Sequence, residues 1–251
     1  MAWMSGPTTL FRHKLLLNLL DQVKPEQILE IGFGNGDLLL KMNRKGFKGT
    51  GIDFSAAAVE EFLQKHKNTA LTFSIKHGLA ESLLSTPERF NALIACEVLE
   101  HIKDDVKTLK NWNSLLAEQG HIILSVPARM KNWGHNDEYA GHVRRYEKEE
   151  LTTKLNKAGF EIVNFCSYGY PFSNMAKLAG DLLIKKNVKN DASLEERTKD
   201  SGIHNVNFKF GKALINDFTL LPFYHIQKMF LHKDLGIGYL VLARKKTKNQ
   251  E

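Results

Sequence analysis

The chain is 251 residues long, 43% apolar and 25% charged, which suits one α/β domain carrying an insertion, or two small domains, around a sizeable core. Its formal charge of +7 can favour anionic partners, yet the lysines are dispersed and form no long like-charged block, so a solvated surface is the better account of them. Two cysteines, Cys96 and Cys166, both in apolar runs, exclude a disulfide framework and a zinc-ligand spacing and read as small buried residues in a reducing compartment.

No apolar stretch approaches the ~20 residues needed to span a bilayer. The N-terminal stretch carries Arg12, His13 and Lys14 where a signal peptide would be cleanly apolar, so the expected location is cytoplasmic. From Thr8 to Val23, Phe11, Leu15, Leu16, Leu19, Leu20 and Val23 share one helical face, and Pro25 ends the helix. QILEIG reads as a buried strand, Gly36 to Asn43 as a helix, and Phe47 to Asp53 as a second strand. Ser55 caps a helix with Val59, Phe62 and Leu63 on one side, and Leu71 to Ile75 is a third strand. Phe90 to Cys96 is nearly all apolar, as a strand covered on both faces should be. Asp104 opens a helix turning Val106, Leu109, Trp112 and Leu116 inward, Gly120 stops it, and HIILSVP is the fifth strand. Glu147 to Ala158 is a helix stopped by Gly159, Phe160 to Tyr168 a sixth strand, and Gly238 to Ala243 a seventh.

Alternating strands and helices predict a mostly parallel sheet with helices on both faces. The expected organisation is a single domain, 1–251, whose core spans 8–170 and 235–245. A largely helical insertion, 171–234, separates the last two strands. Its middle, KKNVKNDASLEERTKDSG, is polar and reads as exposed loop. Its second half, FGKALINDFTLLPFYHIQKMFLHK, is aromatic and aliphatic, fit either to pack on the sheet or to line an apolar pocket, with lysines outward toward a membrane surface.

The most informative stretch runs from Ile28 to Asp37. A buried strand enters three alternate glycines, Gly32, Gly34 and Gly36, and then a helix. On an open parallel sheet this loop falls beyond the carboxyl ends of the strands, where ligands bind. A dinucleotide fingerprint needs a third glycine where this chain has Asp37. Glu30, two residues before the first glycine, suits a ligand bearing an ammonium group and would repel a pyrophosphate. Asp53 ends the second strand, where a carboxylate can take both hydroxyls of a ribose or cap the turn before Ser55.

These segments resemble the class I S-adenosylmethionine-dependent methyltransferases. ILEIGFGNGDLL is similar to their first motif, GIDFS to their second, and ALIACEVLEHIKDD and GHVRRYEKEELTTKLNKAGFEI to later segments of the subgroup that includes ubiquinone-biosynthesis O-methyltransferases. The resemblance covers about Glu26 to Tyr168 and the final strand. It implies a Rossmann-like, seven-stranded, mostly parallel sheet with an antiparallel last strand, and S-adenosylmethionine as cofactor. It places Glu30 near the methionine ammonium, and Gly32, Phe33, Gly34 and Gly36 around the methionine and ribose. Asp53 falls on the ribose, with Phe54 against the adenine. Gly78, Leu79 and Ala80 fall in the adenine loop, and Cys96, Glu97 and Val98 on the floor. Many relatives carry an aspartate where this chain has Leu79, so backbone groups must read the adenine here.

Methyl transfer from a sulfonium is an in-line displacement, for which positioning provides much of the acceleration. A hydroxyl acceptor also needs a base. His101 is the first candidate and His142 the second, each with a structural alternative: His101 fixing Glu97 or Glu100, and Gly141 to Tyr146 locking a loop over the site. His135, Asp137 and His142 match no zinc or iron ligand spacing, so no metal is expected. The expected partner is a small-molecule acceptor, apolar or lipid-like, with peripheral membrane contact and no specific nucleic acid, since no basic and aromatic stripe appears. The alternatives are an NAD(P)-dependent oxidoreductase on the same kind of sheet and a non-catalytic binding protein.

Overall fold

A computed structural model describes residues 7–174 and 221–247 of the chain. Helix α1 (Pro7–Val23) precedes β1 (Ile28–Ile31), α2 (Asp37–Arg44), β2 (Gly49–Asp53), α3 (Ala56–Lys65) and β3 (Phe73–His77). Then come β4 (Phe90–Cys96), α4 (Asp105–Leu115), β5 (Leu116–Pro127), α5 (His135–Ala140), α6 (Lys148–Lys157) and β6 (Phe160–Tyr168). Helix α7 (Leu221–Lys228) and β7 (Gly238–Lys245) follow.

The seven strands form one sheet in the order β3-β2-β1-β4-β5-β7-β6. The pairs among β3, β2, β1, β4 and β5 are parallel. Strand β7 slots between β5 and β6 and is antiparallel to both, so the expected mixed sheet with an antiparallel last strand is present. Neighbouring residues alternate between the two faces, as the pleat requires. Ile28, Ile94 and Ile123 join α1, α2 and α3 in one core, where Leu16, Leu20, Leu39 and Phe62 are buried. Leu29, Leu93 and Leu124 face α4 and α6, with Leu109, Trp112 and Leu155. Each such fully buried aliphatic side chain contributes ~1.5–3 kcal/mol. Strand order reverses between β1 and β4, and the crevice beyond their carboxyl ends is where this type of sheet binds ligands.

Some boundaries differ from the sequence reading. Strand β3 lies two residues later than expected, because His77 pairs with Asp53 at the end of β2. Strand β5 begins at Leu116, so Gly120 lies inside a strand and does not stop a helix. There, Gln119 is left-handed (φ 58°) and the register with β4 shifts between Phe90 and Ala92. A Cβ on Gly120 would lie 2.9 Å from the Ala117 carbonyl oxygen, so this glycine marks a bend where backbones crowd. Of the insertion, α7 is described: the Tyr224 hydroxyl accepts from Asn18 of α1 at 2.9 Å, and Gln227 accepts from the Gly169 amide at 2.8 Å. The polar middle and the start of the aromatic half lie outside the described residues. Among the described residues no helix is long and apolar enough to cross a membrane.

Candidate functional site

The loop after β1 turns through three left-handed glycines, Gly32 (φ 69°), Gly34 (φ 53°) and Gly36 (φ 74°). A Cβ on Gly36 would meet the Phe62 ring at 2.1 Å, whereas one on Gly34 would meet no protein atom within 4 Å. Gly36 is thus a packing requirement, and Gly34 is backbone facing open space. The Phe33 side chain is buried and packs edge-on against Phe62 at 5.4 Å, so only its backbone belongs to the loop's outer surface.

Asp53 ties this loop to the end of β2. Its Oδ2 accepts from the Gly34 amide at 2.8 Å and its Oδ1 from the Ser55 amide at 2.9 Å. It therefore does serve the turn before Ser55, with lone pairs of both oxygens left over. The Gly78 amide donates to the Asp53 carbonyl at 2.8 Å, bringing the loop after β3 alongside. Phe54 and Leu79 stand out there, 63% and 64% exposed, two apolar side chains at adjacent strand ends. Ala80 points instead into the core.

Glu30 is buried and its Oε2 has no hydrogen-bond partner among the described residues. Burial, reinforced by the negative charges of Asp53 and Asp37, pushes its pKa up to about 8. A carboxyl in this condition is suited to a ligand cation, which would offset both effects.

Four side chains converge at the end of β4. Glu97 sits in a left-handed conformation (φ 55°). Its Oε1 accepts from Ser125 Oγ at 2.6 Å and from the Tyr168 hydroxyl at 3.3 Å, and pairs with Arg12 of α1 at 3.1 Å. Burial would raise its pKa, but the Arg12 guanidinium and the Ser125 hydroxyl hold it below the ordinary carboxylate value. The Arg12 Nε has no partner among the described residues. Val98 packs against the bare face of Gly32, where a Cβ would lie 2.6 Å from its Cγ2, and Cys96 packs against the core on the α1 side.

His101 and His142 meet edge to face, with ring centroids 4.9 Å apart. His101 lies at the solvent edge; partial burial, then the charge of His142, lowers its pKa. His142 Nδ1 lies 2.8 Å from Asp137 Oδ1, and its Nε2 lies 3.7 Å from Glu100 Oε1. Asp137 is fully buried and also holds Arg145 Nε at 2.8 Å and the Gly134 amide at 2.9 Å. Arg145 Nη1 donates to the Ala128 carbonyl at 3.2 Å, and the Tyr146 hydroxyl to Asp105 at 2.9 Å. Both anchor the loop.

The sequence-predicted residues therefore gather at one sheet end, except the side chains of Phe33 and Ala80, which belong to the core. Sequence reasoning missed Arg12, Ser125, Tyr168 and the roles of Glu100 and Asp137. Arg12 was visible only as one of three consecutive polar residues, Arg12, His13 and Lys14, in α1, with nothing to single it out.

A family model described as a methyltransferase domain matches residues 7–164. A ubiquinone biosynthesis O-methyltransferase of Alkalilimnicola ehrlichii is 32% identical over 100 residues, 39% of this chain and 40% of that protein. One from Azorhizobium caulinodans is 28% identical over 174 residues, 63% of this chain and 68% of that protein. The chain thus spans from 40% to 68% of these two relatives' lengths. The crystal structure of the N-methyltransferase NodS from Bradyrhizobium japonicum in complex with S-adenosylhomocysteine has a TM-score of 0.54 at 24% identity, over 67% of this chain and 84% of that one.

Proposed function

Because the chain belongs to the S-adenosylmethionine-dependent methyltransferase family, we propose that it transfers a methyl group to a hydroxyl oxygen of a small, apolar acceptor at the crevice beyond β1 and β4. One observation carries this reading. Buried Glu30, with an unpartnered oxygen and a pKa pushed up to about 8, feels the charge of Arg12 and lies at the foot of the loop in which the backbone of Gly34 is open. A negative and a positive group that sense one another there suit the ammonium and carboxylate of an amino acid. S-adenosylmethionine supplies an activated methyl on a sulfonium.

The chain's own residues do the rest. Glu30 takes the ammonium and Arg12 the carboxylate. The Gly32–Gly36 loop cradles the methionine and ribose with backbone groups, Asp53 accepts from the ribose hydroxyls, and Phe54 and Leu79 close on the adenine faces. Glu97, held by Ser125 and Tyr168, keeps Arg12 in place. His142, oriented by Asp137, and His101 face the acceptor side, where an unliganded imidazole can take the hydroxyl proton. The O-methyltransferase names of the relatives support an oxygen acceptor of apolar character. The exposed Phe223, Ile226 and Met229 beside Lys228 and Lys233 support a lipid-like acceptor met at a membrane surface.

Calorimetric titration with S-adenosylhomocysteine and with NAD tests the cofactor assignment. Micromolar 1:1 binding of the first, no binding of the second and at least tenfold weaker binding by Glu30→Gln are expected, a charge-assisted hydrogen bond contributing ~1.5–3 kcal/mol. NAD binding in place of the homocysteine nucleoside would sink the reading and favour an oxidoreductase.

A further inference from the structure

We infer that the site holds the cofactor's base by stacking alone and leaves its exocyclic amino group unread, with Leu79 as the residue that sets this specificity. The ligand class widens accordingly, to adenosyl sulfoniums and thioethers substituted on the 6-amino group. The inference rests on the cofactor assignment above.

Strand order places the parts of the ligand. The sheet runs β3-β2-β1-β4. With the amino-acid end on Glu30 of β1 and the ribose on Asp53 at the end of β2, the base continues outward over the end of β3. His77, the last residue of β3, pairs in register with Asp53, and the Gly78 amide donates to the Asp53 carbonyl at 2.8 Å. The loop after β3 therefore starts level with the ribose. Phe54 and Leu79 stand out at these two strand ends, both well exposed. Apolar surface gathered in one place beside a crevice marks a surface that a ligand covers, and a flat purine ring is what an aromatic face stacks on.

The polar groups of the same place decide what is not read. An exocyclic amino group is a donor and needs an acceptor. The side chains of Phe54, Gly78, Leu79 and Ala80 carry none, and Ala80 is turned into the core. The Leu79 carbonyl accepts from both the amide and the hydroxyl of Ser82, at 3.0 and 2.7 Å, which uses its two lone pairs. The Phe54 carbonyl lies 3.1 Å from a ring nitrogen of His77. A Cβ on Gly78 would meet nothing closer than Ser82 Oγ at 3.7 Å, so the loop leaves room for a substituent on the base.

The two kinds of site differ sharply in selectivity. A site built to hydrogen-bond a group rejects the analogue that lacks it, because its own polar atom is left unpaired; an apolar surface discriminates weakly. Selection here then falls to the ammonium, carboxylate and ribose contacts.

The test is calorimetric titration of the full chain with S-adenosylhomocysteine and with its N6,N6-dimethyl analogue, which keeps the ring nitrogens and has no N–H at that position. The wild type should bind the two within threefold of each other. Phe54→Ala should weaken both alike by at least fivefold, the low end of base–aromatic stacking. Leu79→Asp installs an acceptor and should bind the dimethyl analogue at least tenfold more weakly than the parent nucleoside, a selectivity the wild type lacks. Glu81→Ala, which removes the first carboxylate after this stretch, should bind S-adenosylhomocysteine within twofold of the wild type. Should Leu79→Asp fail to fold, the wild-type pair of titrations and Glu81→Ala decide. Rejection of the dimethyl analogue by the wild type, a larger loss in Glu81→Ala, or a folded Leu79→Asp protein that does not discriminate overturns the inference. If the wild type binds neither nucleoside, the cofactor assignment itself falls; binding of S-adenosylhomocysteine with rejection of the analogue leaves that assignment standing and removes only the unread amino group.

Discussion

Replacing Gly36 or Gly34 by alanine separates packing from ligand space within one loop. Both positions are left-handed, φ 74° and φ 53°, and there an alanine costs ~1–2 kcal/mol of backbone strain, of which ~0.4–1 kcal/mol is offset by stiffening the unfolded chain. At Gly36 the new methyl would also lie 2.1 Å from the Phe62 ring. Phe62 is itself buried against Phe33 and has little room to retreat, so overpacking adds ~1–3 kcal/mol. Gly36→Ala should therefore lose about 1–5 kcal/mol, which at ~2–4 °C per kcal/mol for a domain of this size is a fall in Tm of ~2–20 °C. At Gly34 nothing lies within 4 Å, so Gly34→Ala should lose no more than ~1.6 kcal/mol. If that open space belongs to the cofactor, the same methyl should weaken S-adenosylhomocysteine binding at least tenfold. Differential scanning calorimetry and isothermal titration read the two quantities. A Gly34→Ala protein that binds as tightly as the wild type, or a Gly36→Ala protein that melts with it, would refute the reasoning.

Glu30 makes a pH prediction. Its folded pKa is raised from 4.5 to about 8, so between those values the unfolded chain releases the proton that the fold retains, and the ligand-free protein loses stability as pH rises. Glu30→Gln should flatten that part of a Tm-versus-pH curve; an unchanged slope would place the titration elsewhere. If the cofactor ammonium restores the ionised carboxylate, wild-type binding near pH 7 releases close to one proton, read by titration in buffers of different ionisation enthalpy, and Glu30→Gln releases none. Arg12→Met leaves half-buried Glu97 without its cation and should destabilise the fold by less than the ~3–5 kcal/mol of a fully buried pair, a loss that Glu97→Gln in the same chain should partly restore in denaturant titrations. Tyr146→Phe removes the hydroxyl bonded to Asp105 at 2.9 Å and should cost ~1–3 kcal/mol in the same titrations, with S-adenosylhomocysteine affinity unchanged.

Periodicity and punctuation carried most of the fold. The apolar run Phe90–Cys96, the Ser55 and Asp104 caps and the glycines after β1 each act within a few residues, so the sequence displays them directly. What it does not display is long-range pairing. Gly120 looks like a helix stop until β4 is laid beside it and the carbonyl of Ala117 comes within 2.9 Å of its missing Cβ. In the site, the roles that depend on one loop were legible: the glycine turn, Glu30 at its foot and Asp53 across from it. Arg12 was not, because its partner Glu97 is 85 positions away and joins it only once α1 packs on the sheet. Asp137 and His142 looked like members of a failed metal spacing with His135. In the structure His135 pairs with Glu138 at the surface, and Asp137 orients His142 from behind while Glu100 and His101 face it from the front.

A crystal structure of the chain soaked with S-adenosylhomocysteine bears most directly on the central claim. The account predicts an amino group on Glu30, a carboxylate on Arg12, ribose hydroxyls on Asp53, adenine between Phe54 and Leu79, and sulfur directed toward His101 and His142. Density for that nucleoside elsewhere on the molecule, with the Gly34 crevice holding only solvent at saturating ligand, would contradict it.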